Sequence, residues 1–332
     1  MYSLTLKNNV EIIKIEKIMN NMNTKTRPDI ALVTVRIKNK THKLFIKAVK
    51  LINSTINVNP TMKEIEFYTI LNKLNKLKVL DTIPICYNDK IVKKYSTHSV
   101  LFIENIETHS MLRSFNKRHD MRILFEIAYT LDIFNQIGLR HMDLHWNNII
   151  VYKTDDYNKY YKYTLRDNTV AYIPGFGYRI KIFDFDGSVK LETPNVLPGL
   201  QKEIMNPVEY TGRSKKSSER LNMFRTMREF YNSKQRFKNK LDSTLSNVST
   251  EKQRLLFKKP KKVKDIVPEA KLHFLRTGLL MNAEYDVLKV DNNIVYTPMK
   301  ILKNLVKVNN WDSKPEGKTI MKEFNSKNII AK

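Results

Sequence analysis

The sequence predicts an α+β fold with two lobes, a small β-rich lobe over residues 1–105 and a larger, mainly helical lobe over residues 106–332. Alternating apolar and polar residues, typical of half-buried strands, dominate the first region. Apolar residues at helical spacing dominate the second region. Two motifs with acidic residues, at 141–151 and 181–187, each adjoin an apolar strand. We therefore expect one domain whose lobes close on a single site.

The first lobe contains a predicted pair of strands. Val10–Ile18 alternates loosely, and Asp29–Lys38 alternates closely enough to be a half-buried strand. Asn39–His42 is predicted to form the turn, and Lys43–Val49 the partner strand. Lys47 lies inside this apolar partner strand. A lysine that contacts nucleotide phosphates typically occupies such a position. The alternative is a lysine on an edge strand that faces water.

A helix is predicted next, over Thr61–Leu77, because apolar residues recur there at helical spacing. Its apolar stripe consists of Phe67, Ile70, Leu71 and Leu74. Glu64 and Glu66 lie about 200° apart around this helix, so only one of them can face Lys47. We favour Glu64, which lies four residues before Tyr68, and we keep Glu66 as the alternative.

The second lobe begins with the clearest helical pattern, Asp120–Gly138, which ends at a glycine. Its stripe consists of Ile123, Ile127, Leu131 and Phe134. Two short strands are predicted over Asn148–Tyr152 and Arg179–Phe183, separated by a polar, tyrosine-rich insertion at about 153–178. Closing helices are predicted over Lys271–Leu280 and Thr297–Val306, with Trp311 packed beneath them.

The chemistry is carried by the segment His141–Val151, which reads H-x-D-x-x-x-x-N and runs into an apolar strand. This spacing places Asp143 and Asn148 at the two ends of a short loop. A phosphoryl-transfer site needs such a pair, because the Asp takes a proton from an incoming hydroxyl and the Asn helps to hold Mg²⁺. Asp184, in the segment K-I-F-D-F-D-G, follows another apolar strand where a metal-holding Asp belongs.

The letters D-L-H-W-x-N at 143–148 resemble the catalytic loop of the haspin family of atypical Ser/Thr protein kinases. The resemblance continues through Tyr163-Thr164-Leu165, Ile173-Pro174 and Gly177 to the strand before Asp184. Leu221–Met227 resembles the family's helix of the form F-D-x-Y-R-x-M. The chain is also similar to protein kinases of large DNA viruses, in its K-I-F-D-F-D ending and its content of lysine and asparagine.

The resemblance implies a bilobal kinase that uses ATP and Mg²⁺ and acts on Ser/Thr hydroxyls of a protein substrate. In the catalytic loop it implies that Asp143 is the general base and that His145 touches the transferring phosphate. It implies that Asn148 and Asp184 are the Mg²⁺ ligands.

In the first lobe, the resemblance implies that Lys47 contacts the phosphates and that Glu64 is its ion-pair partner. Leu101–Ile106 is predicted to be a strand that runs into a linker. In a kinase this linker is the hinge, so Glu104 and Ile106 are the candidates for adenine contacts.

Several positions depart from the usual kinase pattern. No glycine precedes Gly138, so a looser turn, such as Asn20–Thr26, has to cover the phosphates. Met142 replaces the arginine that reads an activating phosphate, so we expect no activation by such a phosphorylation. Asp186 replaces the glycine of D-F-G, and Asn222 replaces an aspartate that braces the catalytic loop.

Two other classes of function stay open. Choline- and aminoglycoside-type phosphotransferases, which act on small molecules, also carry H-x-D-L-H-x-x-N, although Trp146 and the insertion argue against this class. A pseudokinase that serves as a basic scaffold is the other class, because the glycine loop is missing and Asn222 lacks a charge.

Composition limits the partners and the location. The single cysteine, Cys86, excludes a disulfide framework and a cysteine-based zinc site. This favours an intracellular protein of the cytoplasm or nucleus. If the chain is viral, the location is a host cell or the virion. No apolar run reaches the ~18 residues of a membrane span, and residues 1–6 do not resemble a signal peptide. We therefore expect no membrane partner.

The chain is strongly basic, with a net charge of +26. This charge suits an acidic partner such as nucleic acid. The basic segment at about 213–264, with its lysine run at 258–264, is the candidate surface for such a partner or a nuclear localisation signal. The alternative explanation of the net charge is the lysine-rich composition that an AT-rich genome produces. The alternative explanation of the basic segment is a solvated loop. The oligomeric state is left open.

Overall fold

The computed structural model describes residues 4–19, 29–50, 60–95, 98–107, 109–116, 120–141, 144, 146–190, 192–202, 204, 288–290, 294–296 and 298–331. Within these ranges the protein is a mixed α and β structure with several separate sheets. Several predictions lie outside the described residues, among them the phosphate-covering turn at Asn20–Thr26, the basic segment at 213–264, the helix motif at Leu221–Met227 and the helix at Lys271–Leu280.

The strands are β1 Leu4–Leu6, β2 Val10–Met19, β3 Asp29–Ile37, β4 Lys40–Lys50, β5 Val92–Tyr95, β6 His98–Glu104, β7 His109–Met111, β8 Leu139–Arg140, β9 Ile149–Lys153, β10 Lys159–Thr164, β11 Val170–Pro174, β12 Tyr178–Ile182, β13 Val189–Lys190, β14 Leu288–Val290, β15 Ile294–Tyr296 and β16 Thr319–Asn325. The helices are α1 Pro60–Lys76, α2 Asn88–Ile91, α3 Met121–Gln136 and α4 Pro298–Val308. Short 3-10 turns cover Leu112–Ser114, Trp146–Asn148 and Ser326–Ile329.

Strands β2, β3, β4 and β6 form an antiparallel sheet in that order. The strict alternation in β3 buries Ala31, Val33, Val35 and Ile37 on one face. The predicted turn at Asn39–His42 is wrong, because β4 begins at Lys40, three residues before the predicted Lys43. Lys38 and Asn39 make the turn with φ values of 46° and 65°, the left-handed conformation that suits the twist of a two-residue hairpin.

Helix α1 follows the prediction closely. It buries Phe67, Tyr68, Ile70, Leu71 and Leu74 on one face. Lys73 and Lys76 occupy its last turn, where positive charge interacts favourably with the helix dipole. The helix ends as Lys78 adopts a φ of 54° and the Val79 N–H donates to the Leu74 carbonyl at 2.9 Å.

Helix α3 is the central helix of the larger core. Asp120 caps it by accepting a hydrogen bond from the Arg122 N–H at 2.9 Å, as the polar residue before a helix is expected to do. All residues from Ile123 to Phe134 are buried. Phe125 contacts the rings of Tyr163 and Trp311, at centroid distances of 5.0 Å and 5.9 Å.

The region after residue 106 contains more sheet than the prediction of a mainly helical lobe allows for. Among the described residues there, the predicted helices at 120–138 and 297–306 occur as α3 and α4. Trp311 is buried, and its ring contacts Phe125 of α3. Its position beneath both closing helices stays a prediction, because Lys271–Leu280 lies outside the described residues. The insertion at 153–178, however, is a hairpin of β10 and β11. Strand β16 extends this hairpin by pairing in parallel with β10. No helix in the described ranges is long and apolar enough to cross a membrane.

The aromatic core gives a stability prediction. Phe125→Ala removes a side chain with 0% exposure and leaves a cavity between Tyr163 and Trp311, so we expect a loss of about 3–5 kcal/mol in the free energy of unfolding. The control is Ile15→Ala at an exposed position, which should change it by less than about 1 kcal/mol. Urea denaturation measures both, and equal losses in the two variants would contradict this account of the core.

Candidate active site

Lys47 lies at the centre of the candidate site. Its ammonium group is 3.0 Å from Glu64 Oε2, 2.8 Å from Asp184 Oδ1 and 3.3 Å from Asp186 Oδ2. The three carboxylates come from α1 and from the segment after β12, so the contact joins three distant parts of the chain. Burial lowers the pKa of Lys47, but the three carboxylates outweigh it and raise the pKa well above the usual value.

Glu64 is the buried member of this cluster, with 1% exposure. One oxygen, Oε2, faces Lys47, and the other, Oε1, accepts a hydrogen bond from the Phe185 N–H at 3.1 Å. Burial raises the pKa of Glu64 to about 7, because Lys47 offsets only part of the desolvation and Asp186 and Asp184 add repulsion.

The structure separates the two glutamates of α1. Glu64 contacts Lys47, whereas Glu66 points to the other side of the helix. Glu66 pairs with Lys63 at 3.0 Å and with Lys202 at 2.9 Å. Of the two candidates, Glu64 is therefore the one that meets Lys47, and Glu66 ties α1 to the segment that follows Asp186.

Asp184 and Asn148 lie at the same end of two paired strands, Asn148 just before β9 and Asp184 just after β12. Strands β9 and β12 pair with Ile149 opposite Ile182, and beyond this pair the Phe183 N–H donates to the Asn148 carbonyl at 3.1 Å. Asp184 then has a φ of 69°, which is uncommon for a residue other than glycine. This backbone turn directs the chain so that Asp184 and Phe185 reach Lys47 and Glu64, respectively.

Phe185, between the two aspartates, anchors this segment in the core with 0% exposure. Its ring contacts Tyr68 of α1, Phe134 of α3 and His141, at centroid distances of 5.3, 5.9 and 4.8 Å. His141 also hydrogen-bonds the Phe183 carbonyl through Nε2 at 2.9 Å. Neither these ring contacts nor the contact of Asp186 with Lys47 was predicted from the sequence. The sequence signal for both is the pattern Asp184-Phe185-Asp186, in which two aspartates flank a phenylalanine.

The proposed hinge positions lie beside β6. The Glu104 N–H donates to the Ile85 carbonyl at 2.8 Å, and its carboxylate accepts from the Ile85 N–H at 3.1 Å and pairs with Lys181 at 3.3 Å. Ile106 is buried, and its carbonyl is hydrogen-bonded to His109 Nδ1. These contacts hold the linker, while the adenine contacts of Glu104 and Ile106 stay predictions.

Asp143 and His145, like Met142, lie outside the described residues. The described residues on either side of them are buried: His141 and Leu144 in the loop and Asn148 at its end. The roles of Asp143 as general base and His145 as phosphate contact therefore stay predictions.

The donor set fits a divalent cation that also binds phosphate. Asp184 and Asp186 are about one third exposed at the side chain, whereas Glu64 is enclosed. Three carboxylates face a single ammonium, which leaves an excess of negative charge, and hard oxygen ligands suit Mg²⁺. In the described ranges, no group of three or more His, Cys, Asp or Glu side chains could by itself hold a metal ion. Mg²⁺ in nucleotide sites needs only one or two carboxylates, because substrate phosphates and water supply the other ligands.

Comparison with known proteins finds similarity to a curated protein and to a solved structure. No protein-family model matches the sequence. Over 113 residues the chain is 34% identical to the putative serine/threonine-protein kinase R400 of Acanthamoeba polyphaga mimivirus, which covers 30% of this chain and 24% of that protein. The match thus spans about a quarter of the relative's length. The crystal structure of PF14_0431, kinase domain, aligns over 56% of this chain and 52% of its own, with 20% identity and a TM-score of 0.33. The haspin subtype stays a prediction.

The buried Glu64 gives a prediction about pH. Because its pKa rises from 4.5 to about 7 on folding, the folded state binds this proton more tightly than the unfolded state. Its contribution to the free energy of unfolding is therefore present below pH 4.5 and decreases as the pH rises to about 7. Glu64→Gln removes this dependence. The free energy of unfolding of the variant, relative to that of the wild type, should therefore increase as the pH rises across that interval. Thermal unfolding at pH 5, 6, 7 and 8 measures the difference.

Glu66→Gln is the matched control, with the opposite sign. Burial opposes ionisation of Glu66, but the hydrogen bonds from Lys202 and Lys63 outweigh it and lower its pKa. Its contribution is therefore present above the unfolded pKa and is lost as the pH falls through the folded value. If both variants changed with pH in the same direction, the assignment of Glu64 as the buried, proton-binding carboxylate would be wrong.

Proposed function

We propose that this chain is a protein kinase of the haspin-like type, which transfers the terminal phosphoryl group of ATP to Ser/Thr hydroxyls with the help of Mg²⁺. The observation that carries the proposal is the contact of Lys47 with Glu64 at 3.0 Å and with Asp184 at 2.8 Å. These residues come from a strand, a helix and a post-strand segment in the order that a kinase requires. The identity to a mimivirus protein named as a kinase supports the same class.

Lys47 binds and orients phosphate in this proposal. Its ammonium has three donors, and Glu64, fixed by the Phe185 N–H, holds one side of it inside the protein. Asp184 and Asp186 occupy the side that is open to the cleft. With Asp184 holding the cation, the donors of Lys47 on that side would be available to a phosphate oxygen. The adenine contacts are assigned to the Glu104 carbonyl and the Ile106 N–H, because the Glu104 N–H and the Ile106 carbonyl already bond to Ile85 and His109.

Asn148 and Asp184 would hold Mg²⁺ through their side-chain oxygens, since the pairing of β9 with β12 places the two residues at the same end of these strands. When bound, Mg²⁺ supplies charge neutralisation on the phosphates. Asp143 takes the proton of the attacking hydroxyl, and His145 donates a hydrogen bond to the transferring phosphate. The loop that carries both is held at its ends, by His141 on the Phe183 carbonyl and by the buried Asn148.

Radiolabelled ATP with Mg²⁺ and mixed protein substrates tests the proposal directly. The wild type should transfer label to protein, and Asp143→Ala should lower turnover by about 10²–10⁴-fold, the usual contribution of a general base. Asp184→Asn should lose turnover through weaker binding of the cation. Label on sugars or amines with none on protein would instead identify a small-molecule phosphotransferase.

Nucleotide binding gives a second, independent test. A Mg²⁺-bound, non-hydrolysable ATP analogue at 100 times its Kd should stabilise the wild type by about 2.7 kcal/mol. Glu64→Gln should weaken binding because the isosteric amide cannot balance the Lys47 charge, while Glu66→Gln, on the opposite side of α1, should bind almost as the wild type does. No stabilisation of a folded wild type would point to a scaffold without catalysis.

A further inference from the structure

The C-terminal segment at 319–331 contacts the parts of the chain that hold α1 in place. Strand β16 pairs in parallel with β10 over Lys159 to Thr164, so the segment is anchored on the insertion hairpin. Phe324 fixes this anchor in the core, where it is buried and stacks on Tyr163 at a centroid distance of 4.9 Å. From this base, the remaining polar groups of the segment reach two other parts of the molecule.

The first part is the turn that ends α1, at residues 77–81. The Asn325 N–H donates to the Lys78 carbonyl at 2.9 Å, and the Asn328 side chain donates to the Leu77 carbonyl at 2.7 Å. These are carbonyls at the C-terminal end of a helix, which lack partners within the helix itself. Lys322 adds an ion pair with Asp81 at 2.8 Å.

Asp81 is a firm anchor for Lys322. It is buried and forms a bidentate pair with Arg179, at 2.8 and 2.9 Å. Burial opposes ionisation of Asp81, but Arg179 and Lys322 outweigh it and lower its pKa to about 2. The carboxylate therefore remains charged at neutral pH and binds both cations, one from β12 and one from β16.

The second part is the segment that follows Asp186. The Leu197 N–H donates to the Ile329 carbonyl at 2.8 Å, and Val196 pairs with Ile330. A few residues further on, the same segment contacts the solvent side of α1 at two points. The Lys73 ammonium donates to the Gly199 carbonyl at 3.1 Å, and Lys202 pairs with Glu66 at 2.9 Å.

We propose that residues 319–331 form a positioning clamp, which holds α1 at its C-terminal turn directly and along its outer side through residues 195–202, so that Glu64 meets Lys47. Lys322, Asn325 and Asn328 are the positioning residues. The clamp does not touch the candidate site, so it acts through the rigid helix. The inference rests on the proposed function only where nucleotide affinity is the readout.

The test uses the full chain with two matched double variants. Lys322→Glu with Asn328→Ala places a carboxylate against Asp81 and removes the bond to the Leu77 carbonyl. Lys303→Glu with Asn309→Ala makes the same substitutions at α4, where Lys303 pairs with Asp167 at 2.9 Å and Asn309 donates to the Leu305 carbonyl at 2.8 Å. If the first variant does not fold, a milder pair of double variants replaces both. The clamp variant is then Lys322→Met with Asn328→Ala, and its control is Lys303→Met with Asn309→Ala.

Two readouts are measured for each variant. The first is the Kd for the Mg²⁺-bound ATP analogue, which we expect the clamp variant to raise about tenfold, or about 1.4 kcal/mol, while the control stays within about twofold of the wild type. The second is amide hydrogen exchange over residues 60–76, which should speed up in the clamp variant alone. This readout reports on α1 whether or not the chain binds nucleotide.

The outcomes separate the clamp from the function. Faster exchange in α1 with weaker nucleotide binding, in the clamp variant only, supports both proposals. Faster exchange in α1 in a protein that never binds the analogue supports the clamp and overturns the proposed function. Unchanged exchange over residues 60–76 with unchanged affinity in a folded clamp variant overturns the clamp, as does an equal change in the two double variants.

Discussion

The carboxylate of Glu64 is the interaction on which the arrangement of the candidate site depends. It takes the ammonium of Lys47 on one oxygen and the N–H of Phe185 on the other, so a single buried group joins β4, α1 and the segment after β12. A buried carboxylate without partners is costly, and removing one partner of such a pair leaves an uncompensated charge. The three segments therefore have to meet in register for any of them to be stable in this position.

A second buried ion cluster supports the first from the other end of β12. Arg179, near the start of the strand, binds Asp81 from the turn after α1 and Glu126 from α3, with a distance of 2.5 Å to Glu126 Oε1. Glu126 also accepts the Ile180 N–H at 3.1 Å. Strand β12 is thus held between two helices at its start and delivers Asp184 at its end. The planar guanidinium suits this role, because it can bind two carboxylates in fixed directions.

Local patterns predicted the elements well where one face of an element is buried. The alternation in β3 and the helical spacing in α1 and α3 placed these elements to within a few residues, because burial of one face sets the period of the pattern. The turn before β4 was misplaced because both Lys38 and Asn39 adopt left-handed backbone conformations, which the residue type favours only at Asn39. The insertion was predicted only as a polar, tyrosine-rich segment, and β16, the parallel partner of its hairpin, lies far away in sequence.

The sequence by itself determined several of the chemical groups of the candidate site and their order along the chain. It determined that Lys47 lies in an apolar strand, that a helix with two glutamates follows, and that Asn148 and Asp184 each adjoin a strand. Only the tertiary structure decided that Glu64 rather than Glu66 meets Lys47, that Asp186 joins the cluster, and that residues 319–331 contact the end of α1. The physical reason is that these contacts join positions far apart in the chain. A local pattern sets the face on which a side chain lies, but the packing of the elements selects its partner.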